Sequence, residues 1–237
     1  MNKEYILLLE TATEACSVAL SCGEEIIAEK YTEEPKAHAS LIGKFISEIL
    51  LENNITVKDL SAVAVSEGPG SYTGLRVGVS CAKGLCYGAK RPLIAVNTLE
   101  IIAQCAIDSG DIASPDALIV PMIDARRMEV YTTICDAKGR PLTQTEAKIL
   151  DETSFAEQIG SHTVLFTGNG AEKFGSLLAS LPGGLPGNIS VTSRMPHAKG
   201  MRVAAYARLQ KKEFEDTAYF EPFYLKDFVA GKPKKLL

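Results

Sequence analysis

The 237-residue sequence has no excess of positive charge, no long apolar run, no paired-cysteine motif and only three histidines. Each lack removes a class of protein. The net charge is −4 and the pI about 5.5, whereas a protein that grips nucleic acid unaided usually carries a strong positive excess. An RNA-linked role would therefore leave most of the grip to a partner. No stretch approaches the roughly 18 apolar residues that cross a bilayer. The run from Tyr5 to Leu9, bounded by Glu4 and Glu10, is shorter than the ~7–15 residues of a secretory core. The cysteines (Cys16, Cys22, Cys81, Cys86, Cys105, Cys135) form no Cys-x-x-Cys pair. Most lie in apolar contexts, where a reduced thiol behaves as a small hydrophobe. A cytoplasmic protein without membrane contact is expected. His38, His162 and His197 stand apart in sequence, and one imidazole makes a poor metal site. No metal and no cofactor is expected.

What is present is an ordinary folded composition, 46% hydrophobic and 23% charged, long enough for one large domain or two of about 100 residues. An apolar run, Ile6 to Leu9, ends in Glu10, turns, and returns as a strand through Ser21; Gly23-Glu24 then turns into a third strand, Glu25 to Thr32. A continuous apolar strand predicts burial on both faces. Past the midpoint the pattern recurs. Leu118 to Ile123 ends in Asp124, Glu129 to Asp136 returns, and a strand near Ala147 to Leu150 follows. Helices are predicted at about His38 to Asn53, Thr73 to Gly88, near Ser154, from Gly170 to Leu181, and from Ala198 to Lys212. Strands are predicted at Ala62 to Ser66 and Thr163 to Thr167. Residues 181–187, rich in proline and glycine, read as a loop.

Two βββαβα units in tandem resemble the ribonuclease-H-like duplication of the actin, Hsp70 and sugar-kinase superfamily. The fold class is therefore α/β, two such domains with mixed sheets. The first domain is expected over residues 1–106 plus 198–237, with the last helix returning to it, and the smaller second domain over 107–197.

The segment Glu67-Gly68-Pro69-Gly70-Ser71-Tyr72-Thr73-Gly74-Leu75-Arg76-Val77-Gly78 follows a strand and opens a helix. Its amides fit either an anion cradle at the helix start or a tight turn capped by Ser71 or Thr73. It lacks the Lys-Ser/Thr ending of a P-loop. Gly70, Gly74, Gly78 and Ala82 recur at every fourth residue and share one helix face. A helical glycine costs about 1 kcal/mol relative to alanine, so the stripe implies close approach of another backbone. That backbone belongs either to the chain's own sheet or to a second molecule. Leu41, Ile42, Phe45, Ile46, Ile49 and Leu50 give the preceding helix a broad apolar face, read either as core or as a contribution to an interface.

The motifs Leu9-Glu10-Thr11-Ala12-Thr13, Gly68-Pro69-Gly70-Ser71-Tyr72-Thr73-Gly74-Leu75-Arg76, Asp124-Ala125-Arg126-Arg127 and Tyr224-Leu225-Lys226 resemble the TsaB family over nearly the whole chain. Glu10 stands where that family usually has aspartate, and Lys226 where arginine is common. The resemblance implies a non-catalytic subunit beside a paralogue, TsaD, which transfers threonylcarbamoyl to the adenosine at tRNA position 37. A small ATPase, TsaE, would act through the complex, tRNA would be bound indirectly, and the isolated chain would form a homodimer. It also implies a helical bundle made with His38, Leu41, Ile42, Phe45, Ile49, Gly74, Arg76, Val77, Gly78 and Ala82. TsaD-like members carry two metal-binding histidines four residues apart; here His38 is followed by Ile42.

Two enzymatic alternatives belong to the same superfamily. In a phosphotransferase, Glu10 and Asp124 would hold magnesium or activate a nucleophile, with Thr11, Gly168 and Gly170 lining the nucleotide cleft. The competing reading makes these turn residues inherited with the fold. A glycoprotease-like peptidase would need paired histidines or an assembled triad, and the sequence shows neither. Lys226, Lys232, Lys234 and Lys235 make the tail basic, for RNA phosphates or an acidic partner, or simply as a solvated end.

Overall fold

The structure, a computed structural model, describes residues 3–34 and 38–226. Its first sheet has the order β3-β2-β1-β4-β5, from β1 (Tyr5–Glu10), β2 (Cys16–Cys22), β3 (Glu25–Thr32), β4 (Leu60–Gly68) and β5 (Leu93–Asn97). β1 lies between an antiparallel neighbour, with Leu9 opposite Val18, and a parallel one, with Leu9 opposite Val65. Its unbroken apolar run follows from that central place. Side chains alternate across a strand, so Leu7 and Leu9 enter one core while Ile6 and Leu8 enter the other. The first core is closed by α1 (His38–Glu52) and α2 (Tyr72–Ala89). The second is closed by α3 (Thr98–Asp108), the 3-10 turn Ala198–Met201 and α6 (Arg202–Lys211). The chain thus returns to the first sheet at its C-terminal end.

The second sheet has the order β10-β9-β6-β7-β8, from β6 (Leu118–Asp124), β7 (Glu129–Thr132), β8 (Glu146–Ile149), β9 (Val164–Thr167) and β10 (Ile189–Thr192). On one face, Phe155, Phe166 and Phe174 meet edge to face with centroids 4.9–5.6 Å apart. They pack with α5 (Ala171–Ala179), behind the short α4 (Ala156–Ser161). Burying each such ring stabilises by about 1.5–3 kcal/mol. The other face is covered by α3, whose Ala103 and Ala106 meet Ile119 and Leu165 while Leu99 and Ile102 meet Ile123. Ile101 and Cys105 of the same helix face the first sheet. One helix therefore serves two sheets.

The sequence pattern falls short in three places. β5 and α3 extend the first unit beyond βββαβα, and β10 extends the second. The return strand expected through Asp136 ends at Thr132 and survives beyond it only as single bridges at Cys135. There the chain turns, with Asp136 Oδ1 accepting the amides of Lys138 and Arg140 at 2.9 Å each. The final helix opens as a 3-10 turn rather than as regular helix.

Candidate functional site

The Gly-rich turn and the glycine stripe are used by the chain itself. Ser71 caps α2 by accepting the Gly74 amide at 3.3 Å, and its own amide donates to the Ala12 carbonyl at 2.6 Å. A Cβ at Gly70 would sit 2.3 Å from Ala12 O, at Gly74 2.0 Å from Thr11 O, and at Gly78 2.3 Å from Thr11 Oγ1. Thr11 Oγ1 also donates to Gly74 O at 2.8 Å. The stripe is the bed on which the β1–β2 turn lies. Gly74, Gly78 and the fully buried Ala82 are therefore corrected from partner-facing to internal. Ile42 and Ile49 of α1 are corrected likewise, since both are buried in the core beneath the two helices. The anion-cradle reading weakens too, because the Ser71 and Gly74 amides already have partners in the chain.

What the two helices turn outward is different. On α2, Thr73, Arg76, Ser80, Gly84 and Tyr87 are exposed, with Val77 and Leu85 half-buried. On α1, Leu41 and Phe45 are half-buried and Leu51 is 78% exposed. A Cβ at Gly43, Gly84 or Gly88 would meet none of the described residues within 4 Å. Gly84 and Gly88 floor a shallow groove of about 460 Å³ that Thr56, Val57, Lys58, Leu85 and Ala89 complete, and Tyr87 beside it is 85% exposed. The signal for this face was in the sequence as a second four-residue spacing, overshadowed by the longer stripe. Arg76 is not free at this face: its guanidinium lies over the Tyr72 ring at 4.1 Å. His38 Nε2 contacts Thr13 O at 2.8 Å, tying the start of α1 to the β1–β2 turn.

The two acid-ending strands are not alike. Glu10 is fully buried; Oε1 accepts the Ala12 amide at 2.5 Å, and among the described residues Oε2 has no hydrogen-bond partner. Burial pushes its pKa up to about 7, against the smaller opposing pull of the Ala12 amide, the Ser66 hydroxyl and the Thr11 amide. Asp124 is exposed and held by Lys173 at 2.6 Å, and it accepts the Arg126 amide at 2.7 Å. Its pKa is lowered: desolvation pushes it up, but Lys173 and the Arg126 amide outweigh that. Gly168 (φ +101°) and Gly170 serve close approach, since a Cβ would lie 2.3 Å from Met122 O and 3.0 Å from the Ile123 carbonyl carbon. Both have a structural task in seating the β9–α5 turn against β6.

Lys226 pairs with Glu129 of β7, while Lys232, Lys234 and Lys235 lie outside the described residues. His162 is exposed. His197, isolated in sequence, meets the Tyr31 ring edge to face at 5.1 Å and stands 3.7 Å from Glu29. Among the described residues no group of three His, Cys, Asp or Glu side chains converges as a metal site would. Among them, too, no helix is long and apolar enough to cross a membrane.

The family described as TsaD, tRNA N6-adenosine threonylcarbamoyltransferase, matches residues 25–234. A protein of Escherichia coli named tRNA threonylcarbamoyladenosine biosynthesis protein TsaB is 38% identical over 126 residues, covering 53% of this chain and 52% of that protein. The Bacillus subtilis protein of the same name is 35% identical over 139 residues, 59% of this chain and 58% of its own. The chain thus spans about half the length of the curated relatives it matches. A solved structure from Pseudomonas aeruginosa, described as an uncharacterized protein with similarity to peptidase YEAZ, is 26% identical. It superposes with a TM-score of 0.80 over 94% of this chain and 100% of that one.

Proposed function

Because this chain belongs to the family described as tRNA N6-adenosine threonylcarbamoyltransferase, we propose that it is an accessory subunit in making threonylcarbamoyladenosine at tRNA position 37. In this reading it acts in the cytoplasm, has no transfer activity of its own and docks on a catalytic TsaD paralogue. TsaE acts through the complex, tRNA is reached mainly through the partner, and the chain pairs with itself when alone. The similarity to proteins named for that biosynthesis supports the pathway. The observation that carries the docking role is the outward face of the two helices: Gly84 and Gly88 of α2 leave open space beside an apolar groove and the exposed Tyr87, and Gly43 leaves open space on α1. A partner helix can approach such a face more closely than side chains ordinarily allow.

Phosphoryl transfer fits less well, since Glu10 is sealed from solvent and Asp124 is engaged by Lys173. A peptidase is disfavoured because His38 binds a backbone carbonyl and His197 is packed between Tyr31 and Glu29.

The test is reconstitution of the chain with a TsaD partner, TsaE, threonylcarbamoyl-adenylate and tRNA, omitting one component at a time. Modification should require this chain, and the chain alone should give none. Activity undiminished without it would overturn the reading. Gly84→Leu and Gly88→Leu enter open space and replace a poor helix former, so they should unfold at or above the parent's temperature. Overpacking a close helix contact costs about 1–3 kcal/mol, which predicts TsaD binding weaker by roughly 5- to 150-fold. Normal binding by both variants would move the interface elsewhere.

A further inference from the structure

The C-terminal segment 213–226 follows the end of α6 and runs along the outside of the molecule. Glu215 bridges to Leu93, its amide donating to the Leu93 carbonyl at 2.9 Å. Lys83 of α2 donates to the carbonyls of Ala218 and Phe220 at 3.1 and 2.9 Å. The Phe223 amide then donates to Glu67 O at 2.7 Å, and the Phe223 carbonyl presses on Gly68, leaving 2.6 Å to where a Cβ would be. Tyr224 packs on Tyr72 with centroids 4.8 Å apart, next to Arg76. Finally Lys226 reaches Glu129 at the start of β7. Within four residues the segment passes from the β4–α2 turn of the first sheet to the β6–β7 hairpin of the second.

This segment is held differently from the core strands. Phe214, Tyr219 and Phe223 are exposed, and Phe220 packs against the first core while only partly buried. Segments held by peripheral hydrogen bonds with little apolar burial open at lower free energy than core strands. We propose that residues 213–226 form a clasp that opens as its own unit, and whose closed position ties the β4–α2 turn to the β6–β7 hairpin. Tyr72, Arg76 and Lys83 position it on the first side, and the Lys226–Glu129 pair latches it on the second. The acid-ending strands β1 and β6 finish near these two turns, so the clasp governs how far apart that end of the molecule opens.

Hydrogen exchange on the full chain tests this. Amides of 218–226 should exchange at least about tenfold faster than those of β1 and β4. Lys226→Ala should speed exchange both in the clasp and in hairpin residues 124–131, with Lys226→Arg restoring the parent rates. Glu129→Ala, which removes the other half of the same ion pair, should speed exchange in the same two segments and leave β1 unchanged. Clasp amides that exchange only at the rate of β1 and β4 would overturn the proposal. So would Lys226→Ala and Glu129→Ala variants whose hairpin amides keep the parent rates.

Discussion

Glu10 ends a strand with both faces covered, and its carboxyl group is out of reach of solvent, with one oxygen unpaired among the described residues. A buried carboxylate is penalised for its charge rather than for its size. Its pKa rises from 4.5 to about 7, so the folded chain holds the proton more tightly than the unfolded one. The sign follows: stability is highest while Glu10 is protonated, falls as pH climbs from the unfolded value toward 7, and stays reduced above it. Glu10→Gln removes the titration and keeps the shape. Compared with the parent in urea unfolding, this variant should gain roughly 2–3 kcal/mol between pH 5 and pH 8. A gap that does not change with pH would mean that the carboxyl is solvated. Glu67, raised to about 6 chiefly by burial, tilts both proteins alike and drops out of the comparison. The sequence disclosed that an acid closes the strand. It could not disclose whether the acid faced water, because burial of Glu10 depends on what the fold brings against it, Ser66 of β4 included.

At the scale of the helix, the four-residue spacing of Gly70, Gly74, Gly78 and Ala82 was legible, and its physical meaning, close backbone approach, was right. What spacing cannot tell is which backbone approaches. Here it is Thr11 and Ala12 of the same chain, over fifty residues away, so the answer required the tertiary fold. The consequence is a reversal between two sets of glycines on one helix. Gly74→Ala places a methyl group 2.0 Å from a backbone oxygen that cannot swing aside. The expected loss is 1–3 kcal/mol or more, read as a lowered melting temperature. Gly84→Ala enters open space and exchanges a poor helix former for the best one, for an expected gain of up to about 1 kcal/mol. If Gly74→Ala melts like the parent while binding to TsaD is lost, the inward placement of the stripe is wrong.

Across the whole molecule, the duplication was readable because each half opens with the same device: an apolar strand, an acid, a turn and a return. The helix that joins the halves was not. α3 reads Thr-Leu-Glu-Ile-Ile-Ala-Gln-Cys-Ala-Ile-Asp, apolar on most sides, and a helix enclosed on most sides has no contrasting face to give it a period. Its enclosure is nevertheless what makes one body of two sheets: Ile101 and Cys105 pack on the first, and Leu99, Ile102, Ala103 and Ala106 on the side of the second. The two halves should therefore unfold together. Ile102→Ala leaves a cavity against Leu99 and Ile123, at a cost of about 2–5 kcal/mol. Although the lost contacts belong to the second sheet's side, hydrogen-exchange protection in β4 should fall by the same free energy as in β9, since α3 cannot leave one sheet without uncovering the other. Protection lost from β9 alone would make the halves independent. The α1–α2 face lies across the first sheet from α3. Folded Ile102→Ala protein should thus bind its partner with parental affinity, which separates damage to the joint from damage to the docking face.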